Sequence, residues 1–178
     1  RNHRKIVVID GNVGFVGGFN IGREYISKDP GFGYWRDTHL RITGEAVMSL
    51  QIRFALDWNY ATGENLFKNE AYFRTDLKKK TDVRRDKERP AWPDPELEGS
   101  QVGMQIIASG PDTREPHIRN NYLELFHKAK HHIYIQTPYF VPDDAIFSAL
   151  KMAALSGVDV RLMIPCKPDH PFVYRATC

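Results

Sequence analysis

From Leu77 to Ser100 the hydrophobic pattern of this chain stops, and that gap constrains the fold more than any other feature. KKKTDVRRDKERP is almost wholly charged, and PAWPDPELEGS, which overlaps its end, carries prolines that deny a continuous helix or a central strand. Residues 78–101 therefore read as a linker, leaving 1–77 and 102–178 as the folding segments. Since domains commonly hold about 100 to 150 residues, 178 residues make one large α/β domain or two small ones. Asp82, Asp86 and Glu88 are interspersed among the basic residues of the linker, as expected of a solvated connector. The other reading lays the basic run on an anionic membrane, where each Lys or Arg contributes about 1 kcal/mol.

Either arrangement needs a buried core, and a hydrophobic share of 42% with 26% charged residues supplies one. These values exclude collagen, disorder and a transmembrane bundle. No apolar run approaches the roughly 20 residues that cross a bilayer, and no signal-peptide pattern stands at the front, so the chain is expected to be soluble. A net charge of +3 is too small to announce a nucleic-acid binder, though it suits an anionic partner such as phosphate or a lipid headgroup. Cys166 and Cys178 form neither a metal pattern nor a disulfide framework, which makes a reducing, cytoplasmic setting the default. The start at Arg1 rather than Met and the stop at FVYRATC are expected of a piece cut from a longer protein.

Ahead of the linker, Ile6 to Ile9 is β-branched throughout and predicts a strand buried on both faces. Asp10-Gly11-Asn12 supplies a turn, and Val13 to Gly18 returns as the second strand of a hairpin. Thr38 to Ile42 alternates as a half-buried strand, with Thr38, Leu40 and Ile42 on one side and His39 and Arg41 on the other. Val47, Leu50, Phe54 and Trp58 recur at helical spacing until Gly63. Beyond the linker, strands at Val102 to Ala108, in HHIYIQTPYF and in DVRLMIP alternate with helices over Ile118 to Ala129 and from Asp143-Asp144 to about Leu155, where Gly157 ends the second. This βαβαβ order implies a parallel sheet with right-handed crossovers.

The strand at the front carries the chemistry. Residues two apart on a strand share a face, so His3 and Lys5 project together. An imidazole that attacks or takes a proton, beside an ammonium that stabilises growing negative charge, suits phosphate chemistry. Asp10 lies seven positions from His3, an odd number, and in an unbroken strand faces the opposite way, which makes it a poor partner for that imidazole.

His3, Lys5 and Asp10 stand as H-x-K-x-x-x-x-D, followed by Gly17-Gly18, Asn20 and the W-x-D of Trp35 and Asp37. In this order they resemble the signature of the phospholipase D superfamily. FGYWRDTHLRITGEAV, QTPYFVPDDAI and ALKMAALSGVDVRLMIP are similar to its bacterial cardiolipin-forming branch, over nearly the whole chain. The resemblance implies a phospholipase D-like α/β fold, a mixed sheet flanked by helices, in which the end of one domain (1–77) precedes the beginning of a second, similar domain (102–178). It also implies a double displacement in which a His attacks the phosphodiester phosphorus, forms a phosphohistidine and releases an alcohol, while a second His from another copy of the motif protonates the leaving group. His3, Lys5 and Asp10 are then the catalytic signature, with Lys5 on the phosphate oxygens and Asp10 mainly structural at its turn. Asn20 becomes a further phosphate contact and Asp37 the carboxylate that holds the imidazole in its productive tautomer, while Gly17 and Gly18 permit close backbone approach. No cofactor or metal is expected, because the Lys and Asn donors do what a cation does elsewhere.

The substrate so implied is phosphatidylglycerol at an anionic membrane surface, two molecules giving cardiolipin and glycerol. The full-length protein is then expected at the cytoplasmic side of a bacterial cell membrane. The alternative is another phospholipase D-type phosphodiesterase or a nuclease acting as a homodimer, although the acidic PDPELEG stretch argues against a long nucleic-acid track. His117, His127, His132 and His170 do not repeat the motif, so the second copy is expected from beyond Cys178 or from a dimer partner, and this chain alone is expected to be inactive. His39, beside Arg41, reads as a surface histidine without a role, and His131 and His132 have no ligand spacing. QTPYF lies at the carboxyl end of a parallel strand, where α/β folds place ligands; a structural turn set by Pro138 is equally compatible, and Tyr139 and Phe140 either touch acyl chains or fill the core. Tyr25 is a weaker candidate for lining the pocket.

Overall fold

The computed structural model describes residues 2–31, 33–73, 102–110 and 113–166. The charged linker at 78–101 lies outside them. The chain divides into two compact units, Arg1–Ile106 and Ile107–Cys178. Both are built of helices and sheet, a mixed α/β architecture.

The first unit is an antiparallel three-stranded sheet with one long helix on it. Strands β1 (Ile6–Ile9), β2 (Val13–Gly17) and β3 (His39–Thr43) pair in sequence order, in the registers Ile6 with Val16 and Gly17 with His39. The β1–β2 connection turns on Asp10 and Gly11, both at positive φ (52° and 68°), and the Asn12 N–H donates to the Ile9 carbonyl at 3.0 Å. Turns of this hand match the twist of the strands they join, and Asp and Gly are among the few residues that adopt them. Helix α1 (Ala46–Thr62) starts after Gly44 and ends at Gly63, whose φ of 74° supplies the left-handed C-terminal turn.

Alternation decides what α1 covers. Ile6, Val8, Val16 and Ile42 point to the helix and pack with Val47 and Leu50, joined by Ile106. Val7 and Ile9 face the other way and remain 53% and 48% exposed. The expectation of a doubly buried β1 is thus corrected. A β-branched run is needed on both faces only when both are covered, and among the described residues one helix lies on one side of this sheet.

In the second unit, helix α2 (His117–Lys128), strand β4 (His132–Gln136), helix α3 (Asp144–Leu155) and strand β5 (Asp159–Met163) follow in order, and β4 and β5 pair in parallel. Phe126, Ile133, Ala149, Leu150, Ala153 and Val158 form the core. The α3 start is as the sequence implies: the Asp143 carboxylate accepts from the Ile146 N–H at 2.9 Å and also binds Arg119. The strand expected over Val102–Ala108 does not form; residues 102–110 are irregular. Apolar alternation only proposes a strand, which needs a neighbour to bond, and Ile106 instead spends its side chain on the core beneath α1. Among the described residues no helix is long and apolar enough to cross a membrane.

Candidate functional site

His3 and Lys5 lie just ahead of β1 rather than within it, yet they meet as the two-residue spacing requires. The Lys5 ammonium stands 2.9 Å from His3 Nδ1 and 3.1 Å from Nε2, and it donates to the His3 carbonyl at 2.8 Å. Which ring nitrogen accepts from the ammonium depends on the tautomer. Both residues reach solvent, as groups that must meet a substrate need to.

The sheet register sets further residues at the same end of the strands. His3 and Lys5 precede Ile6, which pairs with Val16, and Asp37 precedes His39, which pairs with Gly17. Past that second pair one more backbone bond runs from the Gly18 N–H to the Thr38 carbonyl at 3.0 Å. By parity within the paired strands, His39 belongs to the sheet face that α1 leaves open. Asp10 is at the opposite end of β1, roughly 20 Å along an extended chain from His3. The structure does not bring those two together.

Asn20 lies in the loop after β2 and donates to the Tyr25 hydroxyl, whose ring packs edge-on against Phe19 and Trp35 at 6.1 and 5.1 Å between centroids. The Asp37 carboxylate accepts from the Thr38 N–H at 2.7 Å and rests against the Gly18 backbone, where a Cβ would collide with it. At Gly17 the obstacle is backbone: a Cβ there would stand 2.5 Å from both the His39 Cα and the Thr38 carbonyl oxygen. Backbone atoms cannot swing aside as a side chain does, so Gly17→Ala is expected to separate β2 from β3 and to cost about 2 kcal/mol of stability in urea unfolding, as overpacking does. Gly103→Ala, at an open position with nothing within 4 Å, serves as the control with no measurable loss.

Two residues escaped the sequence reading. His39 is half-buried rather than a surface residue: its ring lies 5.6 Å from that of Phe19 and 6.5 Å from that of Phe15, and Nδ1 is buried with no hydrogen-bond partner among the described residues. Its pairing opposite Gly17, which no sequence spacing gives, sets it on the face away from α1. The second is Asp57 on α1. Its carboxylate receives Arg4 NH1 at 3.1 and 3.0 Å, Asn2 Nδ2 at 3.0 Å and Arg53 Nε at 3.2 Å. Arg53 at i−4 is legible on a helix, whereas Asn2 and Arg4, more than fifty positions away, are not.

Burial of Asp57 by itself would raise its carboxyl pKa, but hydrogen bonds from Arg53 and Asn2 and the charges of Arg53 and Arg4 outweigh it and hold the group below 3.8. A depressed native pKa contributes stability that is complete above the unfolded value and is lost as pH falls through the folded one. Lowering the pH from about 5 to about 2 should therefore destabilise the wild-type first unit more than its Asp57→Asn variant, which thermal unfolding followed by circular dichroism at each pH will show. Equal losses in the two proteins would contradict it.

In the second unit Thr137 takes the place after β4, its N–H donating to the Met163 carbonyl at 3.1 Å and its hydroxyl to the Tyr139 carbonyl at 2.9 Å. Phe140 packs against the core, which favours the structural reading of QTPYF. On the exposed side, Tyr134 donates to Asp159 at 2.9 Å beneath the Arg161 guanidinium, which stands 5.4 Å from its ring. Among the described residues no three His, Cys, Asp or Glu side chains gather as metal ligands.

Against this geometry, the family described as "Cardiolipin synthase, PLD-like domain" matches residues 122–177, within the second unit. Residues 122–177 are thus similar to a phospholipase D-like domain. Along 99% of its length the chain is also 49% identical to a cardiolipin synthase of Oceanobacillus iheyensis and 52% identical to a cardiolipin synthase of Staphylococcus aureus and to cardiolipin synthase 2 of Staphylococcus epidermidis. The shared stretch is 33% of the first and 32% of the other two, so the chain spans about a third of the curated relatives it matches. No solved structure matches it. Nearly the whole chain is thus similar to bacterial cardiolipin synthases.

Proposed function

We propose that this chain supplies one of two facing halves of a phosphatidyltransferase site that makes cardiolipin from two phosphatidylglycerol molecules. The observation that carries the reading is the direct meeting of the Lys5 ammonium with the His3 ring. A His3 ring nitrogen attacks the phosphodiester phosphorus, the phosphorus–oxygen bond to one glycerol breaks, and that alkoxide takes a proton from a second histidine. The hydroxyl of another phosphatidylglycerol then attacks phosphorus and frees His3, returning its proton to the second histidine. Lys5 and Asn20 neutralise charge on the phosphoryl oxygens, and Asp37 orients the imidazole. Asp10 shapes the hairpin.

On this reading residues 1–77 end one phospholipase D-like domain and 102–178 begin its neighbour, the second motif coming from elsewhere in the full-length protein or from a second copy. The full-length protein works at the bacterial membrane, on an anionic lipid surface. The chain by itself is inactive. Incubating full-length protein with head-group- and phosphate-labelled phosphatidylglycerol and quenching in denaturant at alkaline pH tests the assignment. The label is expected on His3; label confined to another histidine makes His3 the general acid, and cleavage of DNA without lipid turnover favours the nuclease.

A further inference from the structure

The segment that carries His3 and Lys5 precedes the first ladder pair, Ile6 with Val16, so strand pairing does not fix its position. Something else must. Asn2 and Arg4 alternate with His3 and Lys5, and both are held from the opposite side by one carboxylate, Asp57 of α1. Arg4 spans both carboxylate oxygens, Asn2 donates to Oδ2, and Asn2 Oδ1 in turn accepts the Arg4 N–H at 2.9 Å. The Asp57 side chain is 17% exposed and that of Arg4 29%, so the pair is shielded from the screening that weakens a surface ion pair.

We propose that Asp57 is a positioning residue for the phosphate site. By fixing Asn2 and Arg4 to the helix it holds the alternate residues, His3 and Lys5, away from α1, at the end of the sheet where β3 begins with His39. The inference rests on the reading of His3 and Lys5 as phosphate-handling groups. Arg53 belongs to the helix end of the same carboxylate and braces it without touching the N-terminal segment in any of these bonds. Reaction rates are sensitive to such placement, since a displacement of about 1 Å at a reacting group lowers a rate by about 10²-fold.

The test uses full-length protein and phosphatidylglycerol in mixed micelles, with kcat, KM and unfolding temperature measured for each variant. Asp57→Asn and Arg4→Gln are each expected to lower kcat by about 10- to 100-fold with KM changed by less than about threefold. Because both remove one clamp, the double variant should be no slower than the slower single. Arg53→Gln, which removes only the intrahelical partner, should stay within about threefold of wild type. If Asp57→Asn misfolds, Arg4→Gln carries the test alone. The proposal is overturned if kcat survives in both Asp57→Asn and Arg4→Gln, or if Arg53→Gln slows turnover as much as they do, which is the signature of helix stability alone. His3→Ala separates the two levels: wild-type turnover there removes the reading of His3, whereas an inactive His3→Ala beside fully active Asp57 and Arg4 variants removes only the positioning role.

Discussion

Replacing His3 by Ala in the full-length protein is expected to lower phosphatidyl transfer by about 10³-fold or more while leaving the unfolding temperature nearly unchanged. The two effects separate because His3 is exposed and ahead of β1, contacting Lys5 but contributing nothing to either core. Exposed side chains of this kind alter stability by about half a kcal/mol at most. The chemistry is another matter. In the proposed scheme, loss of the imidazole removes the covalent step, and transfer would have to occur directly between two bulky lipid alcohols at one phosphorus. Lys5→Ala removes a donor rather than the nucleophile and is expected to cost about 10²-fold, the scale seen when one oxyanion contact is deleted. Turnover of labelled phosphatidylglycerol measures both, and a His3→Ala protein as fast as wild type would end the phosphohistidine scheme.

Leu50→Ala should do the reverse, acting on stability first. Leu50 is 1% exposed and shares its cluster with Val47 and Ile42, at 0% and 4%. Truncation to Ala deletes apolar contact on the only helix that covers the sheet among the described residues, and the cost of such a cavity is about 3 to 4 kcal/mol. A small unit has little to spare, since whole domains are stable by only about 5 to 15 kcal/mol. Urea unfolding should show the first unit giving way at lower denaturant than the second, whose core of Phe126, Ile133 and Leu150 is separate. A loss under about 1 kcal/mol would mean that α1 is not what holds the sheet. The same substitution also loosens the element that bears Asp57, so activity should fall with stability rather than independently of it.

Much of the local structure was legible in the residues. The hairpin follows from Asp10-Gly11 between β-branched runs, because few residues tolerate the positive φ that such a turn needs. Helix α1 and the Asp143 cap of α3 follow from spacing and from short-range hydrogen bonding, which act within one turn of chain. The nearness of His3 to Lys5 follows from a period of two. The parallel β4–β5 pair also forms as the βαβ order implies, whereas three inferences about what covers or pairs with a segment failed. Val7 and Ile9 look as buried as Ile6 and Val8 until it is known that one face lacks a helix. Val102 to Ala108 has the composition of a strand but pairs with no other strand among the described residues, and His39 looks like surface until its strand is paired to Gly17.

The order of amino acids by itself determined which groups can do chemistry and which segments alternate or turn, since these depend on covalent spacing and on backbone sterics over a few residues. Only the tertiary structure decided which sheet face α1 covers, that His39 lies on the other one, and that Asp57 reaches Asn2 and Arg4 across fifty-odd residues. Register and helix docking are collective choices among burial energies of similar size, and no short window of sequence contains the partner that settles them.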